Sequence, residues 1–137
     1  MVVASPDYLA RHGTPAYPEE LIHHECLAYT GVPSPHSWEF QVDGRSQAFP
    51  IRARLQGNSG EALVDAAVAG FGLAAGPTFI AGHALATGAV QAVLGPFVPQ
   101  PVGIYAVLPG NRHVPHRVRV LMDFLAERLG PAPPWEA

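Results

Sequence analysis

Residues 57–79 read GNSGEALVDAAVAGFGLAAGPTF, and this stretch predicts a turn, a capped apolar helix and a short buried strand. We expect the helix to cover residues 61–69, because Asn58 can cap its first turn while Glu61, three residues later, reaches back to the cap. The strand at 73–75 is too short and too apolar to lie anywhere but in the interior. The stretch therefore predicts a helix that leads directly into a buried strand.

The start of this helix is also a candidate binding site. Backbone N–H groups without helical partners and the positive end of the helix dipole gather at Asn58, Ser59 and Gly60. Such a position favours a carboxylate, a phosphate or another acidic group of a metabolite. A cap that serves only to start a helix is the commoner case, so this segment leaves both interpretations open.

The bulk composition indicates one globular domain without a strong charge. The chain has 137 residues, of which 48% are hydrophobic and 14% are charged, and its formal net charge is −3. This balance does not point to a polyanion partner or to a nucleic-acid surface. The single cysteine, Cys26, excludes an internal disulfide and fits a reducing compartment, so we expect a cytoplasmic location.

Residues 66–111 contain no Asp, Glu, Lys or Arg, which raises the question of a membrane span. A spanning helix needs about 20 consecutive apolar residues, but prolines, glycines, His83 and Gln91 interrupt this run. The N-terminus also lacks the basic region and apolar core of a signal peptide. We therefore expect interior strands and helices in this region, and no membrane partner.

Short helices and strands alternate along the rest of the chain. Before the quoted stretch we predict a helix between Ser5 and Gly13, a helical turn from Pro18 to His23 and a strand at 26–30. A hairpin follows, which turns at Asp43 and Gly44 and returns in a strand through Phe49, Ile51 and Leu55. After it we predict a helix at 79–86, a strand at 90–94, an irregular proline-rich connector at 95–101, a strand at 102–108, a turn at 109–111 and a helix at 115–129.

Three motifs suggest other chemistry but are weakly specific. Gly70, Gly72 and Gly76 follow a helix instead of opening one, so they do not form a dinucleotide fingerprint. The seven histidines come without cysteine pairs or an acidic cluster, and we expect neither a metal nor a cofactor. His24 and Cys26 could act as base and nucleophile of a small hydrolase, but no Asp or Asn is placed to orient the imidazole, so we assign no catalytic residue.

Seven segments, in this order, resemble the effector-binding region of LysR-type transcriptional regulators. They are ASPDYLARHGTP at 4–15, LIHHECLAY at 21–29, WEF at 38–40, GNSGEALVDAAVAGFGLAAGPTF at 57–79, ALATGAVQAVL at 84–94, IYAVLP at 104–109 and VRVLMDFLAERL at 118–129. The resemblance to this C-terminal, substrate-binding domain covers nearly the whole chain. It implies a two-lobed α/β fold like that of type 2 periplasmic binding proteins, with a small-molecule cleft between the lobes and a dimeric or tetrameric regulator.

On the family pattern, residues 1–97 resemble the second lobe, complete, and residues 98–130 resemble a strand and a helix that return to the first lobe. Residues 131–137 form a proline-rich tail that we expect to be disordered. The rest of the first lobe, the winged helix-turn-helix and its linker helix are not in this sequence. The resemblance therefore implies that the family's DNA contact needs a segment outside this chain, and that the chain is a fragment or is completed by a partner copy.

The resemblance also places effector contacts in two turns. They involve Gly57, Asn58, Ser59 and Gly60 in one turn, and Pro77 and Thr78 in the other. Helix-start N–H groups can hold the carboxylate of an organic acid, while Asn58, Ser59 and Thr78 can supply directional hydrogen bonds. We therefore expect a small anionic effector.

In similar regulators the helix matching residues 61–70 also joins a subunit interface, and its small side chains would allow close approach. These side chains are Ala62, Ala66, Ala67 and Ala69. The function implied is ligand sensing, in which a small effector shifts the populations of two arrangements and so modulates transcription. The alternatives are a solute-binding module, an oligomerisation fragment without a ligand and, with the least support, the hydrolase based on His24 and Cys26.

Overall fold

The computed structural model describes residues 1–99, 104–108, 110 and 114–130. The chain divides into two compact units, Met1–Gln100 and Pro101–Ala137. The predicted turn at 109–111, the tail at 131–137 and the start of the predicted strand at 102–108 lie wholly or partly outside the described residues.

The first unit alternates short strands and helices, as an α/β protein does. Its strands are β1 (Val2–Ala4), β2 (Glu25–Tyr29), β3 (Ser37–Val42), β4 (Arg45–Pro50), β5 (Arg52–Gly57), β6 (Leu73–Ala75) and β7 (Gln91–Val93). Its helices are α1 (Pro6–His12), α2 (Gly60–Val68) and α3 (Thr78–Ala86), with 3₁₀ segments at Pro18–His23 and Gly95–Phe97. Among the described residues, no helix is both long enough and apolar enough to cross a lipid bilayer.

Five strands form one sheet in the order β5-β2-β6-β1-β7, and β3 pairs with β4 in a separate hairpin. β2 runs parallel to both β5 and β6, so the carboxyl ends of these three strands lie at the same edge of the sheet. β1 runs antiparallel to β6 and β7. Its first residue therefore reaches the same edge, where Gly76 N donates to Met1 O at 3.0 Å.

The hairpin predicted from the Asp43-Gly44 turn is confirmed. Both residues have positive φ, 52° and 74°, as a two-residue type I′ turn requires. Phe40 on β3 and Phe49 on β4 then meet edge to face, with ring centroids 5.9 Å apart. Phe40 is fully buried and packs in the core, so it holds the hairpin against the rest of the fold.

The prediction of one return strand through Ile51 and Leu55 is wrong. β4 ends at Pro50, and Ile51 N donates to His36 O at 2.9 Å, outside any strand. The chain then enters β5, where Leu55 pairs with Leu27 of β2 in the other sheet. The apolar pattern alone does not distinguish one long strand from two short strands in different sheets, because both alternate with period two.

Buried side chains form one layer on each face of the five-stranded sheet. One layer includes Tyr8 and Leu9 of α1, Leu21, Cys26, Phe40 and Leu73. The other includes Leu27, Leu63, Val64, Ala67, Ala81 and Val90. Because successive strand residues point to opposite faces, α1 and the hairpin cover the Cys26 face of β2, whereas α2 and α3 cover the Leu27 face.

The proline-rich connector is more regular than predicted. Gly95–Phe97 forms a 3₁₀ turn, in which Pro96 can occupy an early position because that position needs no N–H donor. Phe97 packs against the core layer that contains Tyr8 and Leu9 of α1, and its ring centroid lies 5.8 Å from that of Tyr17. The expectation of an irregular segment is therefore wrong for Gly95–Phe97.

The second unit contains the helix α4 (His116–Leu129), as its apolar stripe predicted. None of its described side chains is buried, and Val120, Leu121, Phe124 and Leu125 are 42% to 55% exposed. The strand predicted over 102–108 is wrong for the described residues 104–108, which have no strand assignment. A strand needs a neighbouring backbone to pair its N–H and C=O groups.

Candidate functional site

Three parallel strands, β2, β5 and β6, end side by side at one edge of the sheet. Tyr29 is paired with Gly57, and Thr30 N donates to Gly57 O at 2.8 Å just beyond the strand ends. In open α/β sheets, ligands bind in the crevice outside the carboxyl ends of the strands. The candidate residues at 57–60 and 77–78 follow β5 and β6, so the fold brings both groups to this edge.

The turn before α2 differs in one respect from the sequence prediction. α2 begins at Gly60, and its cap is Ser59, not Asn58. Ser59 has an extended backbone (φ −112°, ψ 117°), its Oγ accepts from Ala62 N at 3.2 Å, and its hydroxyl donates to Glu61 Oε2 at 3.1 Å. Asn and Ser cap equally well, so the sequence pattern does not decide between adjacent candidates.

Asn58 is consequently free for another role. Its side chain is exposed, and it makes no hydrogen bond to any residue of the described ranges. A carboxamide offers one acceptor and two donors, which suits directional recognition of a small polar molecule.

The second candidate turn lies at the start of α3. Pro77 is exposed and precedes the helix without providing a side-chain cap, and its carbonyl accepts from Ile80 N at 3.2 Å. Thr78 is the first residue of α3 and is half-buried. A Cβ added to Gly60 would lie 2.6 Å from Cδ1 at the flexible end of the Ile80 side chain, so the first turns of α2 and α3 pack against each other.

The charge at this edge comes from backbone groups and one carboxylate. Of residues 57–61 and 76–79, only Glu61 carries a charged side chain. The N-terminus of α2 provides positive potential there, but Glu61 and Ser59 already use part of it. These two turns can therefore hold an acid through N–H groups and polar side chains, without a side-chain cation of their own.

Sequence reasoning missed Tyr29 and Thr30, which lie at the carboxyl end of β2. Both are exposed, and the Tyr29 ring folds back over Gly31 so closely that a Cβ there would lie 2.6 Å from its Cζ. The signal that could have identified them is the parallel pairing of β2 with β5, which local sequence does not reveal.

The alanines proposed for a subunit interface do not all lie on one face of α2. Ala67 is fully buried in the core, so it cannot take part in an outer contact. Ala62 and Ala69 are exposed and Ala66 is half-buried. Their spacing of four and three residues places these three on one stripe of the helix.

His24 and Cys26 do not form a nucleophile and base pair. Cys26 is fully buried, and its Sγ lies 4.0 Å from Leu21 O and 3.8 Å from His24 O. Burial is the main cause that raises the pKa of the thiol to about 12, so almost no thiolate forms at neutral pH. His24 Nδ1 instead faces Tyr8 Oη at 3.2 Å. Among the described residues, no group of three His, Cys, Asp or Glu side chains could hold a metal ion.

The sequence matches a known protein family and several of its members. The family described as the LysR substrate binding domain matches residues 1–130. The regulator CrgA of Neisseria meningitidis serogroup C is 35% identical over 130 residues, which cover 94% of this chain and 43% of CrgA. An uncharacterised HTH-type transcriptional regulator of Haemophilus influenzae is 36% identical over 115 residues, which cover 84% of this chain and 40% of that protein. The chain thus spans about two fifths of the length of these relatives.

Solved structures show the same relationship. The regulatory domain of CrgA superimposes with a TM-score of 0.74 at 32% identity, covering 94% of this chain and 63% of that one. The regulatory domain of AphB from Vibrio vulnificus superimposes with a TM-score of 0.75 at 25% identity, covering 93% and 63%. These matches confirm the predicted α/β fold of the type 2 periplasmic-binding-protein class. The chain belongs to the LysR substrate-binding domain family, the regulatory part of LysR-type transcriptional regulators.

Proposed function

We propose that this chain senses a small effector at the carboxyl edge of β2, β5 and β6, and that the whole regulator converts binding into a change in transcription. The observation that carries the proposal is the contact between Gly60 and Ile80, which joins the two candidate turns at the edge where α/β sheets bind ligands. The family's description as a substrate-binding domain supports it.

The proposed contacts combine the predicted residues with those that the fold adds. Asn58 and Thr78 supply directional hydrogen bonds, and the N–H groups at Ser59 and Gly60 hold an acceptor atom of the effector. Gly57 and Pro77 shape the two turns. Thr30 and the exposed Tyr29 ring complete the surface on the β2 side.

The anionic character of the effector stays a prediction, because two features of the edge oppose each other. The positive end of α2 favours a carboxylate, whereas the Glu61 carboxylate in its first turn repels one. A carboxylate effector therefore binds through the Asn58 side of the turn, away from the Ser59–Glu61 hydrogen bond of 3.1 Å.

The assembly that surrounds the site is part of the same proposal. Residues 1–97 form the second lobe, and residues 98–130 return to the first lobe, whose remaining part would come from a segment outside this sequence or from a partner copy. The regulator works in the cytoplasm as a homodimer or tetramer, with Ala62, Ala66 and Ala69 at a subunit interface and a winged helix-turn-helix on DNA. Effector binding shifts the equilibrium between two arrangements of the regulator only to the extent that the effector binds one arrangement more tightly than the other.

The test uses the intact regulator that contains this domain. A panel of aromatic and aliphatic carboxylic acids, together with their neutral amides, is screened for thermal stabilisation, since a ligand that binds only the folded state raises the unfolding temperature. Asn58→Ala should then weaken affinity for a stabilising compound about threefold to tenfold, as expected for one lost hydrogen bond.

The matched control is Gln47→Ala, which removes an exposed carboxamide from β4 in the separate hairpin. It should leave the affinity unchanged. Equal affinities of Asn58→Ala and the parent would remove Asn58 from the site. A screen in which no compound stabilises the protein would count against the sensing function itself.

A further inference from the structure

Tyr8, His12 and His24 form a cluster at the end of the sheet opposite to the candidate effector edge. The Tyr8 ring is fully buried, and His24 is only 5% exposed. The His12 ring stacks on the Tyr8 ring, with ring centroids 4.3 Å apart and planes 15° from parallel. The His24 ring also contacts the Tyr8 ring, with ring centroids 5.9 Å apart. The cluster joins α1 to the residues that start β2.

The hydrogen bonds of the cluster restrict where its protons can lie. Glu25 N donates to Tyr8 Oη at 2.9 Å, and Tyr8 Oη lies 3.2 Å from His24 Nδ1. The buried hydroxyl hydrogen has an acceptor in this contact when it points at Nδ1, and that arrangement requires a neutral His24 with its hydrogen on Nε2. His12 Nδ1 lies 3.1 Å from Tyr8 O, and because a carbonyl only accepts, Nδ1 of His12 carries the hydrogen.

A proton on His24 Nδ1 disturbs this arrangement in two ways. It directs an N–H at the Tyr8 hydroxyl, which must turn its own hydrogen away from its acceptor. It also places a charge in a buried position that faces His12 of α1 and His23 and Glu20 of the 3₁₀ segment Pro18–His23. Burial is the main cause that lowers the pKa of His24; His12 and His23 add to it, and Glu20 opposes it.

Other titratable groups act on the cluster through Tyr8. Glu25 and Cys26 of β2 and Arg54 of β5 act on the hydroxyl, whose pKa is raised above its ordinary value chiefly by burial. Tyr8 therefore keeps its proton throughout the range in which histidine titrates, and His24 is the group that responds to pH in the Tyr8–His24 contact.

We propose that the Tyr8–His24 contact is a proton-sensitive link, which holds α1 against the start of β2 while His24 is neutral and loosens α1 when His24 takes up a proton. The geometry that carries this inference is the hydrogen-bond chain from Glu25 N through Tyr8 Oη to His24 Nδ1. It does not depend on the proposed effector site, which lies at the other end of β2.

The test compares hydrogen exchange in the 137-residue chain and in His24→Asn. The Asn side chain can accept from the Tyr8 hydroxyl through its amide oxygen, but it does not titrate. The reporters are the amides of Leu9 and Gly13, which donate to Ser5 O and Leu9 O at 3.1 and 2.8 Å. After correction for intrinsic exchange, their open fraction should rise in the parent chain as the pH falls from about 7.5 to about 5.5. The rise can reach about tenfold, because a histidine with the ordinary pKa of about 6.5 in the open form is about ten times more often protonated than neutral at about pH 5.5.

In His24→Asn the same amides should change less than about twofold, because Asn does not take up a proton in this range. The control His83→Asn replaces an exposed histidine of α3, which does not face His24, and should keep the full rise of the parent. An equal rise in the parent and in His24→Asn would overturn the proposal.

A second measurement on the unmodified chain keeps the inference testable if His24→Asn does not fold. Nitrogen-15 NMR of labelled histidines should show the Nε2–H form for His24 and the Nδ1–H form for His12. The His24 signal should titrate below about pH 6.5, the ordinary histidine value. An Nδ1–H form of His24, or titration at or above that value, would contradict the proposed link.

Discussion

Gly72 is the residue at which the packing of two parallel strands is most sensitive to one added carbon. It lies just before β6 with φ 156°, a backbone conformation that side chains rarely adopt. A Cβ built there would overlap the carbonyl oxygen of Glu25 and would lie 2.9 Å from its carbonyl carbon. Both atoms belong to the backbone of β2, so no flexible side chain can move aside.

We therefore expect Gly72→Ala to lower the free energy of unfolding by about 3 kcal/mol, through backbone strain and overpacking together. Urea denaturation of the two chains measures the difference. Gly95→Ala is the matched control, because a Cβ at Gly95 meets nothing within 4 Å; its effect should stay within about 0.5 kcal/mol. A Gly72→Ala chain as stable as the control would show that β6 and β2 are not in such close contact.

At the scale of single elements, the start of α2 contains two adjacent polar residues with different proposed roles, one structural and one in binding. Ser59 caps the helix, whereas the neighbouring Asn58 has no hydrogen-bond partner within the described ranges. The two positions are adjacent and both polar, so their roles can be distinguished only by measuring stability and binding in parallel.

Ser59→Ala should destabilise the chain by about 1 kcal/mol, the usual cost of losing a helix cap. Asn58→Ala should leave the free energy of unfolding within about 0.5 kcal/mol of the parent, because its side chain supports no other residue. Chemical denaturation measures both values. The reverse order of the two effects would show that Asn58 is the cap in solution.

At the scale of the whole molecule, burial of His24 makes stability depend on pH. Its pKa is lowered in the folded state, so below about pH 6.5 the unfolded chain binds a proton that the folded chain does not. The free energy of unfolding therefore falls as the pH drops from about 6.5 to the folded pKa, and it stops falling on this account below that value.

The expected result is a loss of stability on acidification that is smaller in His24→Asn than in the parent chain. Urea denaturation at a series of pH values measures both curves. The Met1 amine, whose pKa burial also lowers, is present in both chains and cancels in the difference. Parallel curves would mean that His24 titrates alike in the folded and unfolded states.

Features that depend on neighbours in the chain could be read from the sequence. The cap Ser5 and the stop Gly13 bound α1, and Asp43-Gly44 turns the hairpin, because caps and tight turns act over a few residues. The order of the family segments also identified the fold class and the regulator family, which the comparisons confirm.

Tertiary structure alone decided which of these pieces meet. Three features involve pairings between segments that are not adjacent in the chain: the end of β4 at Pro50, the arrival of Thr30 at the edge beside Gly57, and the burial of His24 against Tyr8. A local pattern specifies which conformations a segment can adopt. Selection among them depends on packing and hydrogen bonds with residues far along the chain, whose free energies no local window contains.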